Sequence, residues 1–436
     1  MFAHKCKYGL FLFTITVLVS CTNKDLPQGT RISVLPLENI SEKYVSAENG
    51  DVSLPEAKNY VEWSQNGGNS NHLSGNISAK HSVKEAFRLK YGAPAGKRDM
   101  LISEPVVVGG FIITIDADAK ISAFNFNNGD LVWETEVFND KSISSFKAGG
   151  LAANSEKVFA ATGDGEVAAF NLKNGQELWR HKVGTPIRIA PTASARRVFV
   201  QTIDNRLVAL DALSGEEIWN YEIMQEDTTL LGGASPAYDE DQDIVVAAFS
   251  SGDLQAIKAS TGSPLWNSVL VSNRYAGAQS SISAIKANPV IDGDTVFAIG
   301  NSKTLAAIDS ITGERLWDKQ ISGFYQPIVS GEYIFVLSND NYLSAINKNN
   351  GQTLWSKKLD LTNEGKEIAG LLALRPIMVD GYIIVAVSDG KIFKINAKNG
   401  NVAKVFELGE DLLVAPIVVN GSFIFTTADA KLIVYR

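Results

Sequence analysis

The sequence predicts an all-β chain: an eight-bladed β-propeller of four-stranded antiparallel blades, the last blade closed by an N-terminal strand. Three observations carry this prediction. A Gly-x-x-x-Trp unit recurs as Gly129/Trp133, Gly175/Trp179, Gly215/Trp219, Gly262/Trp266, Gly313/Trp317 and Gly351/Trp355, using six of the seven Trp residues. The Trp residues step by 46, 40, 47, 51 and 38, the length of one propeller blade. Finally, Glu85–Gly92 (E-A-F-R-L-K-Y-G) repeats Glu177–Gly184 (E-L-W-R-H-K-V-G), with Phe87 where Trp179 stands.

One repeat shows how each strand is read. Ile189–Ala195 supplies an inner strand containing Pro191, followed by Arg197–Thr202, Arg206–Asp211 and the Trp-bearing Glu217–Ile223. Short runs rich in Val, Ile, Phe and Leu, broken by Asn, Asp and Gly, are the hairpin signature. Prolines recur at the inner position as Pro105, Pro236, Pro289, Pro327, Pro376 and Pro416, where a strand start tolerates the missing N–H. Asn174-Gly175 reads as a tight hairpin turn with positive φ. Units begin near residues 101, 146, 187, 230, 282, 324, 371 and 412. The seventh has Lys404 in place of Trp. The eighth has three strands before Arg436, and residues 85–92 are expected to supply its fourth. Trp133, Trp179, Trp219, Trp266, Trp317, Trp355 and Phe87 are thus scaffold, wedged between blades. Ring closure leaves no loose sheet edge.

Upstream, residues 1–20 read as a leader: Lys5 and Lys7 precede an apolar run, Leu10–Val19, that is too short to span a bilayer. It ends in Leu18-Val19-Ser20-Cys21, which resembles a bacterial lipobox, so Cys21 is the expected lipidated residue. Acyl chains would give membrane affinity, and Thr22 after the Cys fits outer-membrane sorting. Residues 21–62, with Pro27, Pro36 and Pro55 and no sustained periodicity, read as a tether, and 63–436 as the propeller. Trp63-Ser64-Gln65-Asn66-Gly67-Gly68 and His72 read as a turn whose indole packs on the propeller rim, with a ligand site as the alternative.

Composition narrows the chemistry. With Cys6 in the leader and Cys21 lipidated, the folded part has no thiol for a disulfide, zinc ribbon or nucleophile. Forty basic and 48 acidic residues give −8, and losing Lys5 and Lys7 takes this to −10, which argues against nucleic acid as a partner. His72, His81 and His181 lack metal-pair spacing. The acidic run 239–243 lacks the glycine and terminal Glu of a calcium loop and reads as a hairpin tip. Gly163-Asp164-Gly165 has no following helix and Lys, and no Ser sits in a Gly-x-Ser-x-Gly context. No catalytic residue, metal or cofactor is expected.

The lipobox, tether, Trp-bearing blades and closing strand together resemble the outer-membrane protein assembly factor BamB family; the Gly-x-x-x-Trp unit is also similar to repeats of quinoprotein dehydrogenases, which bind pyrroloquinoline quinone. The first resemblance implies a non-enzymatic, lipid-anchored protein facing the periplasm. It would bind the POTRA segment of the barrel-inserting protein BamA alongside other assembly-complex members, and help deliver unfolded outer-membrane proteins. The second implies, as the alternative, a quinone-dependent periplasmic oxidoreductase; some other periplasmic binding propeller is a third option. Family contacts lie in loops joining an outer strand to the next inner strand. Two such loops are long here, Gln225–Gly232 and Val271–Ala287. The family's apolar residue ahead of a glycine matches Leu230, its arginine falls on Leu231, and its acidic pair falls on Ala284 and Lys286. From the residues themselves, Arg274 and Tyr275, with Ile282 and Ile285, read as a contact surface on the second loop, since Arg and Tyr are favoured interface anchors; the alternative is a loop with a few buried hydrophobes.

Overall fold

The computed structural model describes residues 52–80, 83–96, 103–137, 148–223, 233–270, 284–361 and 371–436, all within one compact unit, Tyr44–Arg436. Eight antiparallel sheets follow one another along the chain. Blade three is typical: Thr192–Ala193, Arg197–Gln201, Arg206–Asp211 and Glu217–Glu222, each hydrogen-bonded to the next. Inner strands are short because pairing begins only past the proline. Val106–Val108, Ala237–Asp239, Val290–Asp292, Ile328–Ser330, Ile377–Val379 and Ile417–Val419 each start at or near the residue after it. Blade two has no such proline and pairs over six residues, Ala148–Ala153, with a bulge at the Gly149-Gly150 pair.

The eighth blade closes as the sequence predicts. Glu85–Lys90 pairs antiparallel with Lys431–Tyr435, setting Phe87 opposite Val434, and the backbones of Lys84 and Arg436 exchange two hydrogen bonds of 2.9 Å.

The tryptophans explain the repeat. Across blade three Phe199, Ala209 and Trp219 face one another on successive strands, and Phe159, Ala169 and Trp179 do the same in blade two. The alanine leaves room for the indole, whose ring centroid lies 5.9 Å from the phenyl in each of these two blades. Each indole then rests on the glycine of the next blade's third-to-outer turn. A Cβ added to Gly175 would come within 2.5 Å of Trp133, and one on Gly215 within 2.5 Å of Trp179. Each Nε1–H donates to the carbonyl three residues before that glycine: Trp133 to Leu172 at 2.9 Å, Trp179 to Ala212 at 3.2 Å, Trp219 to Ala259 at 2.9 Å, Trp266 to Ser310 at 2.7 Å, Trp317 to Lys348 at 2.8 Å and Trp355 to Ala397 at 3.0 Å. An indole therefore contributes buried area and satisfies a carbonyl at once.

The turn itself differs from the expected tight hairpin. At Asn174-Gly175 only the glycine has positive φ (+70°), whereas a two-residue I′ turn needs it at both positions. Instead the Gly175 N–H donates to the Asn171 carbonyl, and Asn171 Oδ1 accepts from the Lys173 N–H at 2.9 Å. The loop is four residues long, held by an Asx side chain.

Blade seven breaks the rule for a topological reason. In place of the Ala–Trp pair it sets Lys394 opposite Lys404. In blade eight the outer strand comes from Glu85–Lys90, so no turn joins its third strand to its outer strand and there is no glycine to receive an indole. All six residues of Val402–Glu407 are exposed as a result.

Residues 52–80 lie on the propeller, so the part of the expected tether from 52 to 62 packs with the blades. Val52 is 1% exposed in a cluster with Ile328, Phe335 and Met378. From Trp63 the chain crosses the ring axis rather than its rim, which corrects the sequence expectation. It touches the inner face of all eight blades. Trp63 bridges Val107, Gln65 bridges Ala152, and the Gln65 side chain bonds both backbone groups of Ala193. The Tyr238 N–H donates to Ser70 and the Ile291 N–H to Asn71. Gln326 Nε2 donates to the His72 carbonyl at 2.7 Å, Asn76 and Ile77 run parallel to Met378 and Val379, and Ala79 bridges Gly421.

Candidate functional site

Two regions bring polar groups together: the axial plug and one face of the ring. In the plug, Trp63 is fully buried and its Nε1–H donates to Glu104 Oε2 at 3.3 Å. Arg375 donates to Glu104 Oε1 from Nε at 3.0 Å and Nη2 at 2.7 Å, and its guanidinium lies 5.6 Å from the Trp63 ring centre. Glu104 and Arg375 immediately precede the inner-strand prolines of blades one and seven, which aims both at the axis.

His72 is 1% exposed, with Nδ1 2.8 Å from the Pro289 carbonyl. A carbonyl only accepts, so Nδ1 carries the proton and Nε2 is a bare acceptor, for which the described residues provide no partner. Burial is the main reason the imidazole is pushed down to about 4; nearby Arg375 adds to it, and the Pro289 bond opposes it. The ring is held neutral. Trp63, His72, Glu104 and Arg375 are thus all buried in this plug.

The second region is the face where outer-to-inner loops and the second-to-third turns meet. The Ile203 N–H donates to the Pro186 carbonyl, and the Asn339 N–H to Ser322, so both kinds of connection share one face as an antiparallel meander requires. A cleft opens there, lined by residues of blades three and four and of the lead into blade five, among them Arg188, Gln201, Gly233, Ala248 and Lys286. Of the residues expected to contact a partner, Leu230, Leu231, Arg274, Tyr275 and Ile282 lie outside the described residues, as does Cys21. Ile285 lies within the described residues: at 2% exposure it packs with Leu254, Leu270, Val296 and Ala298 in the core of blades four and five, so its side chain is buried rather than presented at the surface. Ala284 is buried too, while the Lys286 ammonium sits 5.7 Å over the Phe324 ring. Burial pulls Lys286 below its ordinary range.

Sequence reasoning missed the cleft because its walls come from three blades and no motif marks them. The acidic run is the hairpin tip it was expected to be: Asp239 Oδ1 caps the Asp241 N–H at 3.0 Å and Asp243 lies 3.4 Å from Arg197. Among the described residues, no three His, Cys, Asp or Glu side chains gather as a metal would need.

The family model of the outer membrane protein assembly factor BamB matches residues 117–357 and 339–436. The chain belongs to the BamB family. It is 35% identical over 184 residues to BamB of Aliivibrio fischeri, covering 42% of this chain and 46% of that protein. It is 24% identical over 223 residues to an uncharacterized protein of Rickettsia prowazekii, RP232, covering 50% and 53%. The chain spans about half the length of the curated relatives it matches. Among solved structures, BamB from Moraxella catarrhalis superposes with a TM-score of 0.68 at 19% identity, over 81% of this chain and 100% of that one. Quinohemoprotein alcohol dehydrogenase from Comamonas testosteroni gives 0.66 at 12% identity, over 87% and 81%. These likenesses carry the eight-bladed fold, which the BamB family and the dehydrogenases share.

Proposed function

We propose that this chain is a non-catalytic, lipid-anchored scaffold of the outer-membrane barrel assembly machinery. Its propeller binds the periplasmic POTRA segment of a BamA-like insertion protein, alongside other assembly-complex members, and helps pass unfolded outer-membrane proteins to it. Membership of the BamB family over residues 117–436 carries this reading. The loop face supports it: the cleft is lined by Gly233, Ala284 and Lys286, which follow directly in sequence on the stretches expected to carry the contacts. Cys21 would hold the protein to the outer membrane by its lipid, facing the periplasm.

The test is capture of the partner from native envelopes by the full chain and by a variant carrying Leu230→Asp, Leu231→Asp, Arg274→Glu and Tyr275→Asp. Loss of capture with an unchanged melting temperature supports the reading; equal capture sinks this surface.

A second reading, a quinone-dependent oxidoreductase, has the shared fold behind it. Titration with pyrroloquinoline quinone and calcium decides it, since a saturable absorbance change would favour the enzyme. Trp63 and His72, both buried in the axial plug, support the scaffold.

A further inference from the structure

We propose that the cleft between blades three and four seats an acidic, extended segment of the partner protein, a specificity that rests on the scaffold reading above.

Three observations point to this ligand. Among the described residues the cleft walls carry two cations, Arg188 and Lys286, and no carboxylate, on a chain whose net charge is −8. The overall field repels acidic partners, so this local pair is where such a partner gains attraction. Next, Gln201 is 7% exposed and lines the same cleft. Its Nε2 donates to the Ala248 carbonyl at 2.8 Å, tying blade three to blade four, while among the described residues its Oε1 has no hydrogen-bond partner. A buried acceptor left unmet is costly, and it asks for a donor. A polypeptide brings both complements: a carboxylate for the cations and a backbone N–H for Gln201. An anion without protons, such as sulfate, offers no such donor, and a nucleic acid brings a dense negative charge that the chain as a whole opposes.

Lys286 adds the third observation. Its ammonium is already partly desolvated, against the Phe324 ring, and among the described residues no carboxylate forms a salt bridge with it. An arriving carboxylate meets a cation whose desolvation is partly complete, which strengthens the pair relative to one at an exposed site.

The experiment uses the full chain and three labelled ten-residue peptides of one extended design, with Glu, Gln or Lys at alternating positions, read by fluorescence anisotropy. The Glu peptide is expected to bind, and to weaken about tenfold or more in the Arg188→Gln/Lys286→Gln variant and on raising salt. The Gln and Lys peptides are expected to stay free. Lys286→Gln alone, which leaves Arg188 and its surroundings intact, is expected to show a smaller loss in the same direction. Equal binding of the Glu and Gln peptides, or salt-independent binding, overturns the proposal, and neither readout depends on a variant folding. Capture of the POTRA segment is measured in parallel. Capture without Glu-peptide binding removes the acidic specificity and leaves the scaffold reading. Glu-peptide binding through Arg188 and Lys286 without POTRA capture upholds the cleft's specificity and removes that partner.

Discussion

The guanidinium of Arg436 donates to the carbonyl of Phe126, the position at which six other blade junctions receive an indole N–H. Phe87 takes the indole's place on the glycine, where a Cβ on Gly129 would come within 2.7 Å of its ring, but phenyl has no N–H to give. Arg436 supplies the missing donor, bonding also to the Asn127 carbonyl at 2.7 Å and lying over the rings of Phe87 and Phe126 at 5.4 and 4.8 Å. Two residues far apart in the chain thus do the work of one tryptophan. Arg436→Ala is expected to cost about 2 kcal/mol, the worth of a charge-assisted hydrogen bond plus its packing. Phe87→Trp in that background restores part of the loss by returning an indole donor. Urea midpoints at constant m-value read both.

The glycine docking sites make a paired prediction. Gly215 (φ +76°) and Gly110 (φ +82°) both have positive φ, but only Gly215 faces an indole; nothing lies within 4 Å of a Cβ on Gly110. Gly110→Ala is expected to lose about 1 kcal/mol from backbone strain alone. Gly215→Ala adds overpacking against Trp179, for a total of about 2–4 kcal/mol. Similar losses at the two sites would show that the indoles do not press on the turns.

How much of this was readable beforehand follows from the reach of each signal. The Gly-x-x-x-Trp unit and the strand runs are local, and both survive folding: Arg206–Asp211 is the third strand of blade three as read. The Phe87 match to Trp179 placed the closing strand, because a repeat carries its register with it. What sequence could not show were contacts across blades made by residues outside the repeat. Trp63 has no repeat partner, so its place on the axis depends on Glu104 and Arg375, 41 and 312 positions away in the chain. Lys404 stands in sequence as a bare departure from the motif, and only the topology of blade eight shows why an indole there would have no glycine to meet. Ile285 sat in an apparent loop beside Arg274 and Tyr275, but two residues of the lead into blade five, Ala284 and Ile285, already belong to the core.

The Glu104–Arg375 pair makes the plug's stability testable. Both side chains are nearly buried, at 7% and 10% side-chain exposure, with a 2.7 Å contact. Removing one partner strands the other charge, so Glu104→Leu or Arg375→Met alone is expected to cost about 3–5 kcal/mol. The double variant is expected to recover most of that, since an apolar pair of similar size needs no desolvation. Glu104→Leu also deprives Trp63 Nε1 of its acceptor, so recovery falls short of complete. A double-mutant cycle by chemical denaturation measures the coupling. Additive losses would mean the two charges are not a unit.

His72 gives the plug a pH dependence of definite sign. Its folded-state value of about 4 lies below the unfolded value of about 6.5. Between those limits the unfolded chain holds a proton that the folded chain does not, so stability is full above about pH 6.5 and falls as pH drops toward 4. At 1.36 kcal/mol per unit the gap corresponds to about 3 kcal/mol. His72→Asn isolates this contribution. Asparagine tolerates the φ of +60° that His72 adopts, its amide N–H₂ can donate to the Pro289 carbonyl, and it does not titrate. Thermal melts of the two proteins across pH 4–7 are expected to converge at the acid end, where the native protein loses its advantage, and to differ most near pH 7. A constant difference across that range would mean that His72 charges freely in the folded state, and that the axis holds water around Nε2.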